Sequence, residues 1–79
     1  MFKVDYYNDY LLERNPICHV GSVISDYYED VAELIYKFLK DLGRSDICLL
    51  VSIDESDSTI HYFDILGSDE YFIAKELLS

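Results

Sequence analysis

The apolar positions between residues 27 and 42 repeat with the period of an α-helix. In SDYYEDVAELIYKFLKDLG they recur at intervals of three and four residues, which places them on one face of a helix. Asp26, with Glu29 three residues later, resembles a capping box, and Gly43 supplies the left-handed residue that commonly ends a helix. The pattern therefore predicts one long amphipathic helix. Its apolar stripe consists of Tyr27, Tyr28, Val31, Leu34, Ile35, Phe38, Leu39 and Leu42.

The segments on either side of this helix show the patterns of β-strands. DICLLVSI (residues 46–53) is a nearly continuous apolar run, typical of a strand buried on both faces, and TIHYFDIL (59–66) follows as its hairpin partner. MFKVDYY and ICHVGSVIS alternate apolar and polar side chains on either side of a turn at RNP. Residues 9–14 show no decisive pattern. The tail DEYFIAKELLS favours a short helix by propensity, with YFIA as an edge strand as the alternative.

These elements predict a single acidic domain of the α+β class over residues 1–79. We expect an antiparallel sheet of four to five strands with the long amphipathic helix packed on one face. The other face is then either solvated or covered by a partner. Eight tyrosines in a chain without Trp provide amphipathic side chains that suit such an interface.

Composition bounds the class of protein and its compartment. A net charge of −10 is combined with 51% hydrophobic residues, which is too apolar for a disordered acidic tail. Cys18 and Cys48 lack CxxC spacing and lie in apolar runs, which predicts buried free thiols in a reducing compartment. No apolar stretch approaches the ~20 residues of a membrane span, and the acidic N-terminal segment is unlike a signal peptide. We expect a cytoplasmic protein that does not bind membranes.

Candidate catalytic and metal-binding residues are few. His19 and His61 are the only histidines, and neither accompanies a nucleophile motif, so we expect no catalytic residues and no enzyme. With Cys18 and Cys48 they could in principle ligate zinc, but adjacent strand residues point to opposite faces, which favours ordinary strand positions. DESDST lacks the spacing of a calcium loop and is interpreted as a polar hairpin tip. The sequence predicts neither a metal nor a cofactor.

The negative charge is arranged in blocks. Between Asn15 and Tyr36 there are four acids and no Lys or Arg, and between Ser45 and Ala74 there are seven acids and again no Lys or Arg. Acids one helical turn apart stand about 5–6 Å from each other, close to the spacing of backbone phosphates. Such a chain repels nucleic acid and attracts basic proteins. The hairpin charges that we expect to contribute are Asp54, Glu55 and Asp57.

Four short motifs occur in an order that is found in one family. Six residues separate SDI at 45–47 from DES at 54–56, and SDEY at 68–71 follows the next strand. EDVAELI at 29–35 combines acids with apolar positions in the predicted helix. Over residues 21–71 the chain thereby resembles the phage-encoded uracil-DNA glycosylase inhibitors, which are small acidic DNA mimics.

The resemblance implies an inhibitor that covers the DNA-binding surface of a uracil-DNA glycosylase. Asp30 and Glu33 would imitate phosphates. An apolar pocket would capture a side chain of the enzyme's DNA-intercalating loop. The residues that the resemblance assigns to this pocket are Val31, Leu34, Ile35 and Leu49. Ser22 matches the serine of the family's Glu-Ser-Ile edge strand, while Gly21 stands where that strand has its glutamate.

Two other functions fit the same observations. A DNA mimic of phage origin could instead inhibit a CRISPR or restriction nuclease, which also binds DNA or RNA through a basic surface. Alternatively, the chain could be a non-enzymatic module that dimerises through tyrosines of the uncovered sheet face, its acids serving only solubility.

Overall fold

The structure, a computed structural model, describes residues 1–9 and 15–77. Within these ranges the chain forms one antiparallel five-stranded sheet and one helix, which confirms the predicted α+β class. The elements are β1 (Phe2–Asn8), β2 (Cys18–Val23), α1 (Tyr28–Asp41), β3 (Leu49–Ile53), β4 (Ile60–Ile65) and β5 (Glu70–Glu76). Of residues 9–14, for which the sequence makes no prediction, residues 10–14 lie outside the described ranges.

The strands are ordered β2-β1-β5-β4-β3, and every neighbouring pair is antiparallel. The segment containing α1 carries the chain from β2 at one edge of the sheet to β3 at the other. The last strand, β5, then inserts between β4 and β1. The prediction of a short helix or an edge strand in the tail is therefore wrong, because β5 is the central strand. Pairing on both sides, with Phe72 and Ala74 fully buried, overrides the local helix propensity.

The helix is confirmed, but its length and its start differ from the prediction. With 14 residues it is about 21 Å long, which is an ordinary rather than a long helix. The capping box is wrong, since no side chain caps the first turn. Asp26 instead lies 3.2 Å from the N-terminal ammonium of Met1, and the backbone N–H of Tyr27 donates to Ser25 Oγ.

The end of α1 follows the sequence signal. Gly43 has φ +76°, and its N–H donates to the carbonyl oxygen of Lys40 at 2.9 Å. The N–H of Arg44 donates to the carbonyl oxygen of Leu39, also at 2.9 Å. This pair of bonds is a Schellman motif, in which the left-handed residue is most easily a glycine.

The core lies between α1 and the sheet face that it covers. Along the central strands alternate side chains are buried, as a sheet with one covered face requires. The buried hydrophobic residues are Phe2, Val4, Val31, Ile35, Leu39, Phe63, Ile65, Phe72 and Ala74.

Strand β3 and the two cysteines are more exposed than the sequence predicts. β3 is an edge strand in which Leu50, Val51 and Ile53 are each about half exposed, so the predicted burial on both faces is wrong. The cysteines are free, as predicted, but both are exposed rather than buried. Cys18 begins one edge strand and Cys48 directly precedes the other, four strand spacings or about 19 Å apart, too far for a disulfide between them.

Candidate protein-binding surfaces

The outward side of α1 carries the two acids that the resemblance assigns to partner binding. Glu33 is exposed and Asp30 is partly buried, while Val31 and Ile35 on the other side of the helix have no exposed surface. Leu34 packs partly buried against the core. The helical period thus separates carboxylates from core residues as expected, and removing the carboxylates would leave the core volume unchanged.

The four residues that the resemblance assigns to an open apolar pocket lie in or against the core of the domain. Val31 and Ile35 are core residues, and Leu34 and Leu49 pack against that core. A partner could reach the two buried side chains only if α1 moved away from the sheet. At the C-terminal end of α1 there is instead an apolar pocket of about 270 Å³, which the sequence did not indicate. Its lining residues are Tyr36, Leu39, Lys40, Arg44, Ser45, Asp46 and Ile47.

The acids of the β3–β4 hairpin shape its turn. Asp54 accepts hydrogen bonds from the backbone N–H and Oγ of Ser56, from the N–H of Asp57 and from the hydroxyl of Tyr62, at 2.7–3.1 Å. The Tyr62 and Ser56 bonds lower the pKa of Asp54 to about 2. Asp54 is therefore ionised throughout the physiological pH range, and its position is fixed by the turn.

In the second half of this hairpin another aspartate accepts hydrogen bonds from a residue two positions later. Asp57 accepts hydrogen bonds from the backbone N–H and the Oγ1 of Thr59, at 2.9 and 2.6 Å, and these bonds lower its pKa. Glu55, between the two aspartates, is exposed. The hairpin thus presents a fixed cluster of negative charge.

The topology brings this hairpin and the first turn of α1 to the same end of the sheet. Tyr28, the first helical residue, has its ring 5.2 Å from that of His61, which pairs with Ile53 just before the hairpin. On the other side of the hairpin, the N–H of Glu76 donates to the carbonyl oxygen of Thr59. The two groups of acids singled out from the sequence therefore share one end of the molecule. The described acids of this acidic end are Asp26, Glu29, Asp30, Glu33, Asp54, Glu55, Asp57 and Glu76.

The sheet face opposite α1 carries a row of tyrosines. The rings of Tyr7 and Tyr71 stack with centroids 5.1 Å apart, and Tyr62 lies 6.4 Å from Tyr71. Burial raises the pKa of Tyr7 and Tyr71, and the bond to Asp54 raises that of Tyr62 to about 12, so all three phenols are neutral at physiological pH. The sequence predicted amphipathic tyrosines on this face. Their order was not predictable, because it depends on the register of β1, β4 and β5.

Beside this row lies a shallow polar pocket of about 310 Å³. It is lined by Asp9, Ser52, Tyr62, Asp64 and Tyr71. Burial and the negative charge of Asp9 raise the pKa of Tyr71, which lies opposite Asp64 in the β4–β5 ladder. No sequence motif indicates this site, because its residues come from four separate segments of the chain.

The part of the same face that adjoins the β3–β4 hairpin carries positive charge, because Lys75 pairs with Ile60, whose N–H donates to the carbonyl oxygen of Asp57. Lys3 and Lys75 lie directly opposite each other on β1 and β5, and both are exposed. Ser22, the residue matched to the family's edge strand, pairs with Lys3 and is exposed on β2. A partner approaching Ser22 would therefore meet a lysine as well.

A partly buried ion pair links three elements close to the C-terminal end of α1. The carboxylate of Glu70 accepts hydrogen bonds from the guanidinium of Arg44, from the hydroxyl of Tyr6 and from Ser68 Oγ. The Arg44 bond is the main cause of the lowered pKa of Glu70, about 2. Desolvation and the Glu70 carboxylate raise the pKa of Tyr6 to about 12. This network is structural, and the sequence did not indicate it.

The histidines and cysteines considered as zinc ligands lie apart. His19 contacts Asp5 at 2.9 Å, whereas His61 is buried and its Nδ1 is 2.8 Å from the hydroxyl of Tyr28. Cys18 and Cys48 lie at opposite edges of the sheet. Within residues 1–9 and 15–77 no group of three or more His, Cys, Asp or Glu side chains could hold a metal ion.

Comparison with known proteins finds no match to this chain among family models, curated proteins or solved structures. In the part of the chain that the structure describes, no helix is long and apolar enough to cross a membrane.

Proposed function

We propose that this chain is a cytoplasmic, non-enzymatic inhibitor that imitates DNA and covers the basic DNA-binding surface of a host or defence protein. The observation that carries the proposal is the concentration of carboxylates at the acidic end, where α1 contributes Asp30 and Glu33 and the hairpin contributes Asp54, Glu55 and Asp57. The proposal is supported by the hydrogen bonds of the turn, which hold Asp54 in place, and by its pKa of about 2, which keeps it charged. Fixed carboxylates do not have to be ordered when the partner binds.

The first target to test is a bacterial uracil-DNA glycosylase, as the motif resemblance implies. Excision of uracil from DNA is measured at increasing concentrations of the protein and at low and high salt. We expect inhibition that weakens as salt rises, because opposite electrostatic fields speed association and are screened by ions. CRISPR and restriction nucleases are tested in the same way, because their DNA- or RNA-binding surfaces are also basic. A pull-down from bacterial lysate that recovers only neutral or acidic proteins would contradict the proposal.

The location of the binding surface is tested by replacing Asp30 with Asn and Glu33 with Gln together. Neither residue belongs to the buried core, so stability should change by no more than about 0.5–1 kcal/mol. Each charge pair lost from a desolvated interface should cost roughly 2 kcal/mol or more in affinity. The matched control is Asp41→Asn with Asp46→Asn, which removes two charges at the other end of α1. Asn is tolerated at Asp46, whose φ is +58°.

The comparison of the two double variants decides between a specific surface and a general charge effect. If both double variants lose the same affinity for the partner, only the net charge matters and the acidic end is not the contact surface. If the Asp30/Glu33 variant unfolds, these carboxylates are structural. If it folds and binds unchanged, binding depends on the hairpin instead, which Glu55→Gln then tests.

The exposed edge strand β3 favours a second candidate, a homodimeric interaction module. Leu50, Val51 and Ile53 are uncharged and half exposed, and the outer edge of β3 has no neighbouring strand in the described sheet. Such an edge can pair with the same strand of a second copy. Light scattering against concentration discriminates: a tight dimer that Val51→Lys disrupts favours this module, and a monomer that associates only with a basic partner favours the inhibitor.

A further inference from the structure

We propose that the shallow pocket on the uncovered sheet face, lined by Asp9, Ser52, Tyr62, Asp64 and Tyr71, binds an arginine side chain of a protein partner. The inference deepens the proposed function and rests on it for the identity of the partner as a basic protein. We refer to this site as the tyrosine–aspartate pocket.

The lining residues select a positive charge. Asp9 and Asp64 supply two carboxylates from different strand ends, and the rings of Tyr62 and Tyr71 supply neutral aromatic surfaces beside them. Aromatic faces attract cations through their quadrupole, and carboxylates attract them through their charge. An anion would be repelled by both carboxylates, and an apolar side chain would leave them desolvated without a partner. The pocket therefore fits a group that is both cationic and able to stack.

The charges nearby do not neutralise the pocket. Lys75 pairs with Ile60 and is therefore diagonal to Tyr62, about 7–8 Å away on the same face, but Asp64 is four residues from Ile60 along extended β4, which places its backbone about 13 Å from Lys75. This separation exceeds the Debye length of about 8 Å at physiological salt. Of the described cations, Arg44 is already paired with Glu70. The carboxylates are thus available to a cation from another molecule.

The geometry favours arginine over lysine and over a metal ion. A guanidinium is planar, presents five N–H donors and stacks on aromatic rings, so one group can contact Tyr71 and both carboxylates. An ammonium is a compact and strongly hydrated point charge, which gains less from two tilted rings. A hard metal ion requires six or more closely placed oxygens, whereas this pocket of about 310 Å³ has the size of a side chain.

The site lies outside the acidic end. Tyr62 connects the two, since its ring lines the pocket while its hydroxyl donates to Asp54 at the base of the hairpin. A basic partner that covers the hairpin could therefore extend onto the uncovered face and place one arginine between Tyr62 and Tyr71. The tyrosine–aspartate pocket would then supply a directional contact in addition to the general attraction of the acids.

Binding is tested by NMR titration of the ¹⁵N-labelled protein with acetyl-arginine methylamide, and with acetyl-lysine methylamide as the comparison probe. We expect saturable binding of the arginine probe at roughly millimolar concentration, with shift changes centred on the five lining residues. The lysine probe should bind several-fold more weakly. Equal binding of both probes, or shifts confined to the acidic end, would overturn the assignment.

Four variants test whether the arginine probe binds at this pocket. Asp64→Asn changes an exposed residue and should weaken the arginine probe roughly five- to tenfold without unfolding the domain. Tyr71→Leu should do the same by removing the ring, whereas Tyr71→Phe keeps the ring and should retain most of the binding. Asp41→Asn removes one charge elsewhere and should have little effect. Unchanged binding in Asp64→Asn together with Tyr71→Leu would refute the site.

The two proposals fail in different ways. If the arginine probe binds in the pocket but no DNA-binding protein is inhibited, the inhibitor function is wrong and the arginine site remains. If inhibition is observed but Asp64→Asn leaves both it and the probe unaffected, the inhibitor function stands and the tyrosine–aspartate pocket is not part of its interface.

Discussion

Replacing Glu70 with Gln removes the charge at the centre of the partly buried Arg44–Glu70 network without changing the size of the side chain. Glu70 accepts from Arg44, Tyr6 and Ser68, which join the segment after α1 to β1 and β5. Its side chain is only 15% exposed, so water screens these bonds weakly. We therefore expect the loss of the carboxylate charge to lower the free energy of unfolding measurably.

The magnitude follows from the pKa of Glu70. Ionisation is favoured in the folded state because the pKa is lowered from 4.5 to about 2. A difference of about 2.5 pH units, at about 1.36 kcal/mol each, corresponds to about 3 kcal/mol at neutral pH. Gln retains neutral hydrogen bonds, so we expect Glu70→Gln to cost about 2 kcal/mol, or roughly 8–16 °C in Tm for a domain of this size.

The direction in which stability changes with pH tests whether the Glu70 charge is responsible. Because the folded pKa lies below the unfolded value, the stabilisation is fully present above about pH 4.5 and is lost as the pH falls towards 2. The difference in free energy of unfolding between the wild type and the Glu70→Gln variant should therefore shrink by about 1 kcal/mol between pH 7 and pH 3.5. We refer to this difference as the gap.

Urea unfolding followed by circular dichroism measures this gap, and tyrosine fluorescence provides a second probe because the chain has no Trp. Glu55→Gln, at an exposed position, is the matched control and should show almost no gap at either pH. Arg44→Met and the double variant complete a cycle whose coupling should be about 1.5–3 kcal/mol. A gap that is absent at pH 7, or that is equally large at pH 3.5, would refute this reasoning.

Two further predictions concern the core and the edges of the sheet. Ile35→Ala removes a fully buried side chain between α1 and the sheet, and should lower the free energy of unfolding by about 2–4 kcal/mol in the same urea assay; a loss below about 1 kcal/mol would mean that the helix is not packed as described. Cys18 and Cys48 should both react with a thiol reagent under native conditions at rates close to those in urea, because both are exposed; protection of either one would contradict the edge positions.

The sequence by itself determined the elements whose signals are local. The helix was predictable because Val31, Ile35 and Leu39 repeat with its period, and its end because Gly43 supplies a left-handed residue. The β3–β4 hairpin was predictable from two apolar runs around a polar turn. The outward position of Glu33 follows from the same helical period. Each of these depends only on residues a few positions apart.

The tertiary structure decided everything that depends on which strands are neighbours. An apolar run such as that of β3 is compatible with a central or an edge strand, and only the order β2-β1-β5-β4-β3 places it at the edge, with Cys48 exposed beside it. The tail has helix propensity, yet ladder bonds to β1 and β4 make it the central strand. The Arg44–Glu70 pair and the tyrosine–aspartate pocket likewise join residues distant in sequence, and no local pattern encodes such contacts, because they form only when the sheet assembles.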